Sequence, residues 1–306
     1  MSKVIKIGTR ESQLALWQAN LVKSKLELLG YQTDIIPITS KGDQELNIPL
    51  YEMGITGIFT KTLDIALLNE EIDIAVHSMK DVPTKLPKGA QQVAVLERAN
   101  VHDILVYKNL DFLDKQGTIA TGSLRRKAQW LHKYPAHKVV NLRGNVNTRL
   151  QKLHDHNWDA AIFAYAGLER IDVLPENYQI LDWMIPAPAQ GAITVQALEK
   201  DSFSIEALSK INHQESEICT FVERQFLATL EGGCTAPIGA YAKCKKDQVH
   251  FSGALFSLDG TQKLEQNVSF SKAEYKSKGS EIAAQILSQG GKKLMEEIKK
   301  ATDAYN

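Results

Sequence analysis

Cysteine is scarce in this chain. Cys219, Cys234 and Cys244 are the three, an odd number without CxxC spacing, which excludes a disulfide framework and a zinc ribbon. Long apolar runs are missing too: no stretch of about 18 uncharged apolar residues occurs, so no membrane span is expected. The opening MSKVIKIGTR lacks the apolar centre of a secretory signal, and a cytoplasmic location is expected. Net charge is absent, because 36 Lys and Arg balance 36 Asp and Glu; the chain as a whole exerts no long-range pull on nucleic acid or anionic lipid. Neither GxGxxG nor GxxxxGK[ST] occurs, so no nucleotide cofactor is assigned. His154-Asp155-His156 has no third ligand at metal spacing, so no metal is assigned either.

What remains is an ordinary globular composition, 43% apolar and 24% charged over 306 residues, enough for two or three domains. The chain opens with a strand, KVIKI, a turn, GTRES, and a helix with Leu14, Trp17, Leu21 and Leu28 at helical spacing. YQTDIIPI reads as a second strand, Phe59 to Leu68 as a helix and IDIAVHS as a third strand, which favours a mostly parallel sheet covered by helices. The same alternation returns in GTIATGS, LRRKAQWLHKY, KVVNL, NVNTRLQKLH and DAAIFAYAG, a second α/β lobe. Asp73-Ile-Ala-Val in the first half matches Asp159-Ala-Ala-Ile in the second. After PAPAQGAITVQALE come a helix ending at EGG, three strands and a C-terminal helix, a small α+β domain.

Ligands of open parallel sheets gather at the carboxyl ends of strands. HSMKDVP stands there, so Lys80 and Asp81 emerge at a crevice; from pattern alone a solvated turn serves equally well. GTRES and GSLRR are equivalent strand-to-helix turns, each offering helix-start N–H groups, a serine hydroxyl and guanidinium groups to an anion. From Ser123 to Lys152 there are eight Lys and Arg and no acid. Arginine suits bidentate pairing with carboxylate or phosphate. A basic solvated helix face is the plainer alternative, and nucleic-acid binding a further one, but Trp130 and Tyr134 stand at a spacing that suggests packing. Cys234 follows Gly232-Gly233, which leaves its sulfur open to a large reactant; a lone cysteine also serves as a small buried apolar group.

Taken together, GTRES-LALWQA, KGD, GIFTK-LDIALL, DIAVHSMKDVPT, SLRRKAQ, NLRGNVNTRLQKL, AGLERI, PAPAQGAI and EGGCTAPIGAYA closely resemble the porphobilinogen deaminase family, in order and spacing, from about residue 5 to about residue 245. The C-terminal part fits in length and pattern. The resemblance implies two α/β lobes like those of periplasmic binding proteins plus a small α+β C-terminal domain. The division it suggests is residues 1–98 with 191–212, then 99–190, then 213–306. It implies an enzyme that joins four porphobilinogen molecules head to tail with loss of ammonia and then hydrolyses the linear product free. The growing chain is built on a dipyrromethane primer held by a thioether to Cys234.

By the same resemblance Asp81 is the catalytic carboxylate, ionised to stabilise the positive charge that develops on the pyrroles. Arg125, Arg126, Arg143, Ser123, Ser12 and Lys80 bind the cofactor. Arg10, Arg149, Arg170 and Phe59 bind substrate, and Gln190 stands at a hinge with the substrate-binding set. A monomer without nucleic-acid or membrane partners is expected. Two departures stand out: Thr56 where many relatives have a glycine-rich lid with lysine, and PAPAQGA for the commoner PAVGQGA. A solute-binding protein would suit two anion-lined lobes, but gives Cys234 no task.

Overall fold

The computed structural model describes residues 3–39, 60–230 and 236–303. Thr56, Phe59 and Cys234 lie outside the described residues. The chain folds into two compact units, the first from residues 3–39, 60–99 and 191–217, the second from 100–190, 218–230 and 236–303.

In the first unit β1 (Val4–Arg10), α1 (Gln13–Leu28), β2 (Gln32–Ile38), α2 (Lys61–Leu68), β3 (Ile74–Ser78) and β4 (Ala90–Val95) follow in order, and β10 (Ile193–Leu198) joins them later in the chain. The sheet order is β2-β1-β3-β10-β4. β1 runs parallel to β2 and β3, while β10 is antiparallel to β3 and β4. The expected mostly parallel sheet is therefore present with one reversed strand. Ile5 and Ile7 alternate onto one face and meet Ala19, Val22 and Leu26 of α1; each fully buried Ile or Leu contributes about 1.5–3 kcal/mol. The opposite face packs on Leu63, Ala66 and Leu67 of α2.

The first helix lies where its spacing predicts, but turned. Leu28 is 87% exposed, and the buried stripe is Gln18, Ala19, Val22 and Leu26, because Ala19 lets the helix approach the sheet more closely than Trp17 would. Strand β1 also runs on through Gly8, Thr9 and Arg10, which the sequence suggests as turn. Gly8 leaves room for Ile72 there: a Cβ would stand 2.2 Å from Cδ1 of Ile72, which would have to move.

The second unit repeats the plan with β5 (Asp103–Tyr107), β6 (Thr118–Ala120), α3 (Leu124–Lys133), β7 (Lys138–Val140), α4 (Val146–Asp155), β8 (Ala160–Ala164), α5 (Tyr165–Glu169) and β9 (Tyr178–Ile180). Its order is β7-β6-β8-β5-β9. In both sheets the local second strand is outermost, then first, third, a reversed strand and a fourth. The reversed strands, β5 and β10, follow the changes of unit at 99/100 and 190/191. Trp130 of α3 is fully buried, and its ring centroid lies 4.7 Å from that of Tyr134 in a tilted arrangement, so these aromatics serve packing.

The chain then continues through α6 (Ser202–Ser209) and α7 (Gln214–Thr229) to the antiparallel strands β11 (Ile238–Lys245), β12 (Gln248–Phe256) and β13 (Lys263–Ser271), followed by α8 (Tyr275–Ile286) and α9 (Lys292–Asp303). Val222 and Phe226 of α7, Phe251 of β12 and Ile282 of α8 build their core. This is the small α+β part expected at the C-terminus. No helix among the described residues is long and apolar enough to cross a membrane.

Candidate active site

In the first unit the carboxyl ends of β1 and β3 open on a small hollow, continuous with solvent, lined by Arg10, Ser12, Gln18, Thr60, His77, Ser78 and Asp81 among others. Arg10 ends β1. Ser12 caps α1 by accepting the N–H of Ala15 at 3.4 Å, which satisfies one of the orphan donors of the helix start. Asp81 closes a single 3-10 turn, Met79–Asp81, directly after β3. Met79 N–H bonds the carbonyl of Ala192 at 3.0 Å, so the segment entering β10 fixes that turn. Lys80 shares the turn and is half-buried.

Gln18 and Ser78 were not singled out from sequence. The Gln18 amide donates to Ser78 Oγ at 2.8 Å, tying α1 to the end of β3. A glutamine 2% exposed on a helix face is a signal that only the rotation of α1 reveals. His77 is 5% exposed, and its Nε2 has no hydrogen-bond partner among the described residues. Burial, with Arg10 nearby, pushes its imidazole down to about 4, so it is neutral at physiological pH.

In the second unit Ser123 follows β6, Arg143 follows β7, Arg149 lies in the first turn of α4, and Arg170 ends α5. Ser123 caps α3 by accepting the N–H of Arg126 at 3.4 Å. Arg149 Nε donates to the carbonyl of Gly144 at 2.7 Å, and Asn145 caps α4 by accepting the N–H of Thr148 at 2.9 Å. Arg143 is 4% exposed, and burial lowers its guanidinium. Burial also pushes Arg170 down to about 10, with Glu169 opposing.

Arg125 and Arg126 stand differently from the other cations. Both are buried, and both turn onto Asp103: Arg125 Nη1 reaches Oδ2 at 2.7 Å, and Arg126 Nε reaches Oδ1 at 2.9 Å. Gln190, fully buried, donates to the carbonyl of Val101 at 2.8 Å and to Asp103 Oδ1 at 3.0 Å. The acid-free run from Ser123 to Lys152 thus has a partner acid from β5, and the triad of two arginines and one aspartate carries a net single positive charge. The one sequence signal was an aspartate heading the apolar strand DILVY. Gln190 supports this triad from inside.

Fold and site together define an α/β protein whose two units each place arginine and a capping serine near the carboxyl ends of parallel strands, chemistry suited to organic anions. Residues 5–206 match the family model "Porphobilinogen deaminase, dipyromethane cofactor binding domain", and residues 217–300 match "Porphobilinogen deaminase, C-terminal domain". The chain belongs to the porphobilinogen deaminase family. It is 40% identical over 302 residues to the porphobilinogen deaminase of Trichlorobacter lovleyi, covering 97% of each chain. With that of Campylobacter fetus it is 39% identical over 295 residues, 95% of this chain and 97% of the relative. A more distant likeness links it to the probable amino-acid ABC transporter extracellular-binding protein YtmK of Bacillus subtilis, at 12% identity and a TM-score of 0.44, over 69% of this chain and 90% of that one.

Proposed function

We propose that Asp81 manages the positive charge of porphobilinogen condensation, and that arginines hold the carboxylates of the growing chain. The reaction is that of the family, a transferase step of tetrapyrrole and haem biosynthesis: four porphobilinogen molecules are joined head to tail, and the linear hydroxymethylbilane is released by hydrolysis. One observation carries the residue assignment. Asp81 is the carboxylate among the residues lining a hollow that also holds Arg10, Ser12 and the neutral His77.

The residues present suit the family's dipyrromethane, which bears an acetate and a propionate on each ring. Arg143 and Arg170 are cations that burial disfavours, and an incoming carboxylate offsets that cost through charge-assisted hydrogen bonds. We assign its tether to Cys234 and its carboxylates to Arg143, Ser123, Lys80 and Ser12, with the Arg125–Arg126 pair adding positive charge. When bound, the dipyrromethane supplies the terminal pyrrole carbon onto which the first substrate is joined. Arg10, Arg149, Arg170 and Phe59 serve the substrate ring, and Gln190 serves it indirectly by holding Asp103.

As the substrate's C–N bond breaks, its electron pair leaves with the amine and positive charge spreads over the pyrrole. An ionised Asp81 stabilises that charge where it develops. Arg10, held at the end of β1, restrains the ring's carboxylates so that the reacting carbon stays in place. We further propose three domains divided near residues 98, 190 and 212, and a cytoplasmic monomer, which light scattering on the eluting protein tests.

Intact mass of the denatured protein tests the tether, and turnover tests Asp81. The unsubstituted chain should carry an adduct that Cys234→Ser lacks, and Asp81→Ala should keep the adduct while losing turnover. Active protein without an adduct would remove the tether, and undiminished turnover in Asp81→Ala would remove the role of Asp81.

A further inference from the structure

Two of the three cysteines meet. Cys219 on α7 and Cys244 on β11 are 25 positions apart in the chain, and their sulfurs are 3.5 Å apart. Neither is in a disulfide. Cys219 is 6% exposed within the C-terminal core, and Cys244 packs against that core at its half-buried margin.

The surrounding register favours a link between them. Glu223, one helical turn after Cys219, accepts the N–H of Ala242 at 2.7 Å and that of Ala189 at 2.6 Å. Ala242 precedes Cys244 by two positions, on the same side of β11. Helix and strand are therefore already pinned side by side next to the two thiols. A disulfide has its sulfurs about 2.05 Å apart, so closure needs the two sulfurs to approach by about 1.5 Å.

We propose that Cys219 and Cys244 form an oxidation site, a dithiol that a peroxide converts to a disulfide joining α7 to β11. Cys244, the more exposed, reacts first. Its thiolate attacks one peroxide oxygen, the O–O bond breaks, and the departing hydroxide takes up a proton as water, leaving a sulfenic acid. Cys219 then gives up its proton and attacks that sulfur; the S–S bond forms, the S–O bond breaks and a second water leaves. Two thiols are oxidised, and one hydrogen peroxide is reduced to two waters. Because the second sulfur is already in contact, the sulfenic acid is captured before it can oxidise further. The closed loop spans Cys234, so the bridge would staple the elements on either side of that cysteine. The inference stands whether or not Cys234 holds a primer.

The experiment uses the full-length, fully reduced protein, exposed to hydrogen peroxide, quenched with N-ethylmaleimide and read by intact mass and non-reducing tryptic mapping. The expected result is a loss of two hydrogens and the 211–224 peptide joined to the peptide bearing Cys244. Dithiothreitol should restore both thiols, and the oxidised form should melt at a higher temperature than the reduced one. Cys244→Ser should show no bridge and no such rise. The proposal is overturned if both thiols still label after peroxide and denaturation, if Cys244 passes to the sulfinic acid unbridged, or if the bridge formed is to Cys234. Since the deciding result is read on the unsubstituted chain, a variant that fails to fold leaves the test intact.

Discussion

Asp103 Oδ1 accepts the Nε–H of Arg126 at 2.9 Å, and both side chains are less than a tenth exposed. With Arg125 on the other oxygen at 2.7 Å, a single carboxylate from β5 fixes both guanidiniums at the start of α3. Breaking such a pair from one side leaves uncompensated buried charge, at a cost of about 3–5 kcal/mol. Asp103→Asn should therefore lower the urea midpoint by an equivalent amount. Gln190→Ala, which removes two buried hydrogen bonds, one of them to the ionised carboxylate, should cost about 2–4 kcal/mol. Burial alone would raise the Asp103 carboxyl, but the two guanidiniums more than reverse this and hold it well below the usual carboxylate range. Its contribution is thus present above about pH 4, its ordinary value in the unfolded chain, and fades as pH falls further. Asp103→Asn should lose that acid dependence.

His77 gives a second pH signature in a higher window. Its imidazole is held down to about 4, against about 6.5 when unfolded. Between those values the unfolded chain binds the proton and the folded one does not, so stability falls as pH drops from about 6.5 to about 4, by up to about 3 kcal/mol. His77→Gln should flatten the plot of urea midpoint against pH over that interval, while leaving the Asp103 window unchanged. A parallel slope in the variant would mean that another histidine carries it.

Much of the site was legible because strand, turn and helix start each leave a local mark. Ser12 and Ser123 read as hydroxyls at helix starts and stand there, where they cap the helices; Asp81 reads as emerging after a strand and does. The reversed strands were not legible. All six residues of β10 and four of the five in β5 are buried, so neither shows the in-and-out alternation of a half-buried strand. The pairing of Asp103 with Arg125 and Arg126 spans more than twenty positions and follows from sheet order, which residue spacing does not encode. The buried face of α1 was misjudged because Trp17 and Leu28 weigh heavily in a periodicity count while Ala19 does not.

The short match between the two halves has a physical cause. Asp73 accepts the N–H of Lys6 at 2.8 Å while donating its own N–H to the Lys6 carbonyl at 3.0 Å. Asp159 does the same with Thr118, at 2.7 and 3.0 Å. Each aspartate locks the start of the third strand of its lobe to the first. The Lys6 contact is exposed and the Thr118 contact partly buried, so Asp159→Ala leaves an N–H less able to turn to water. It should cost about 2 kcal/mol and Asp73→Ala about 1 kcal/mol, a difference that chemical denaturation of the two variants measures.

Gly260 links the β12–β13 turn to the helix that carries the paired arginines. Its φ is +77°, and a Cβ there would stand 2.5 Å from the carbonyl oxygen of Ala128 and 2.7 Å from the nitrogen of His132. Both atoms belong to the backbone of α3 and cannot swing away. The Gly260 carbonyl also lies 2.7 Å from His132 Nδ1, so the turn is seated against the helix by a hydrogen bond as well as by contact. Gly260→Ala combines left-handed strain of about 1–2 kcal/mol with an overpacking cost of about 1–3 kcal/mol, and should destabilise the protein by the sum. Gly30→Ala is the control: φ is +87°, and among the described residues nothing lies within 4 Å of the added carbon, so only the strain applies. Because α3 begins at Ser123, Arg125 and Arg126, Gly260→Ala should raise the KM for porphobilinogen in protein that still folds, and Gly30→Ala should leave it unchanged. Equal loss of stability in the two variants would mean that the turn yields where the contact predicts that it cannot.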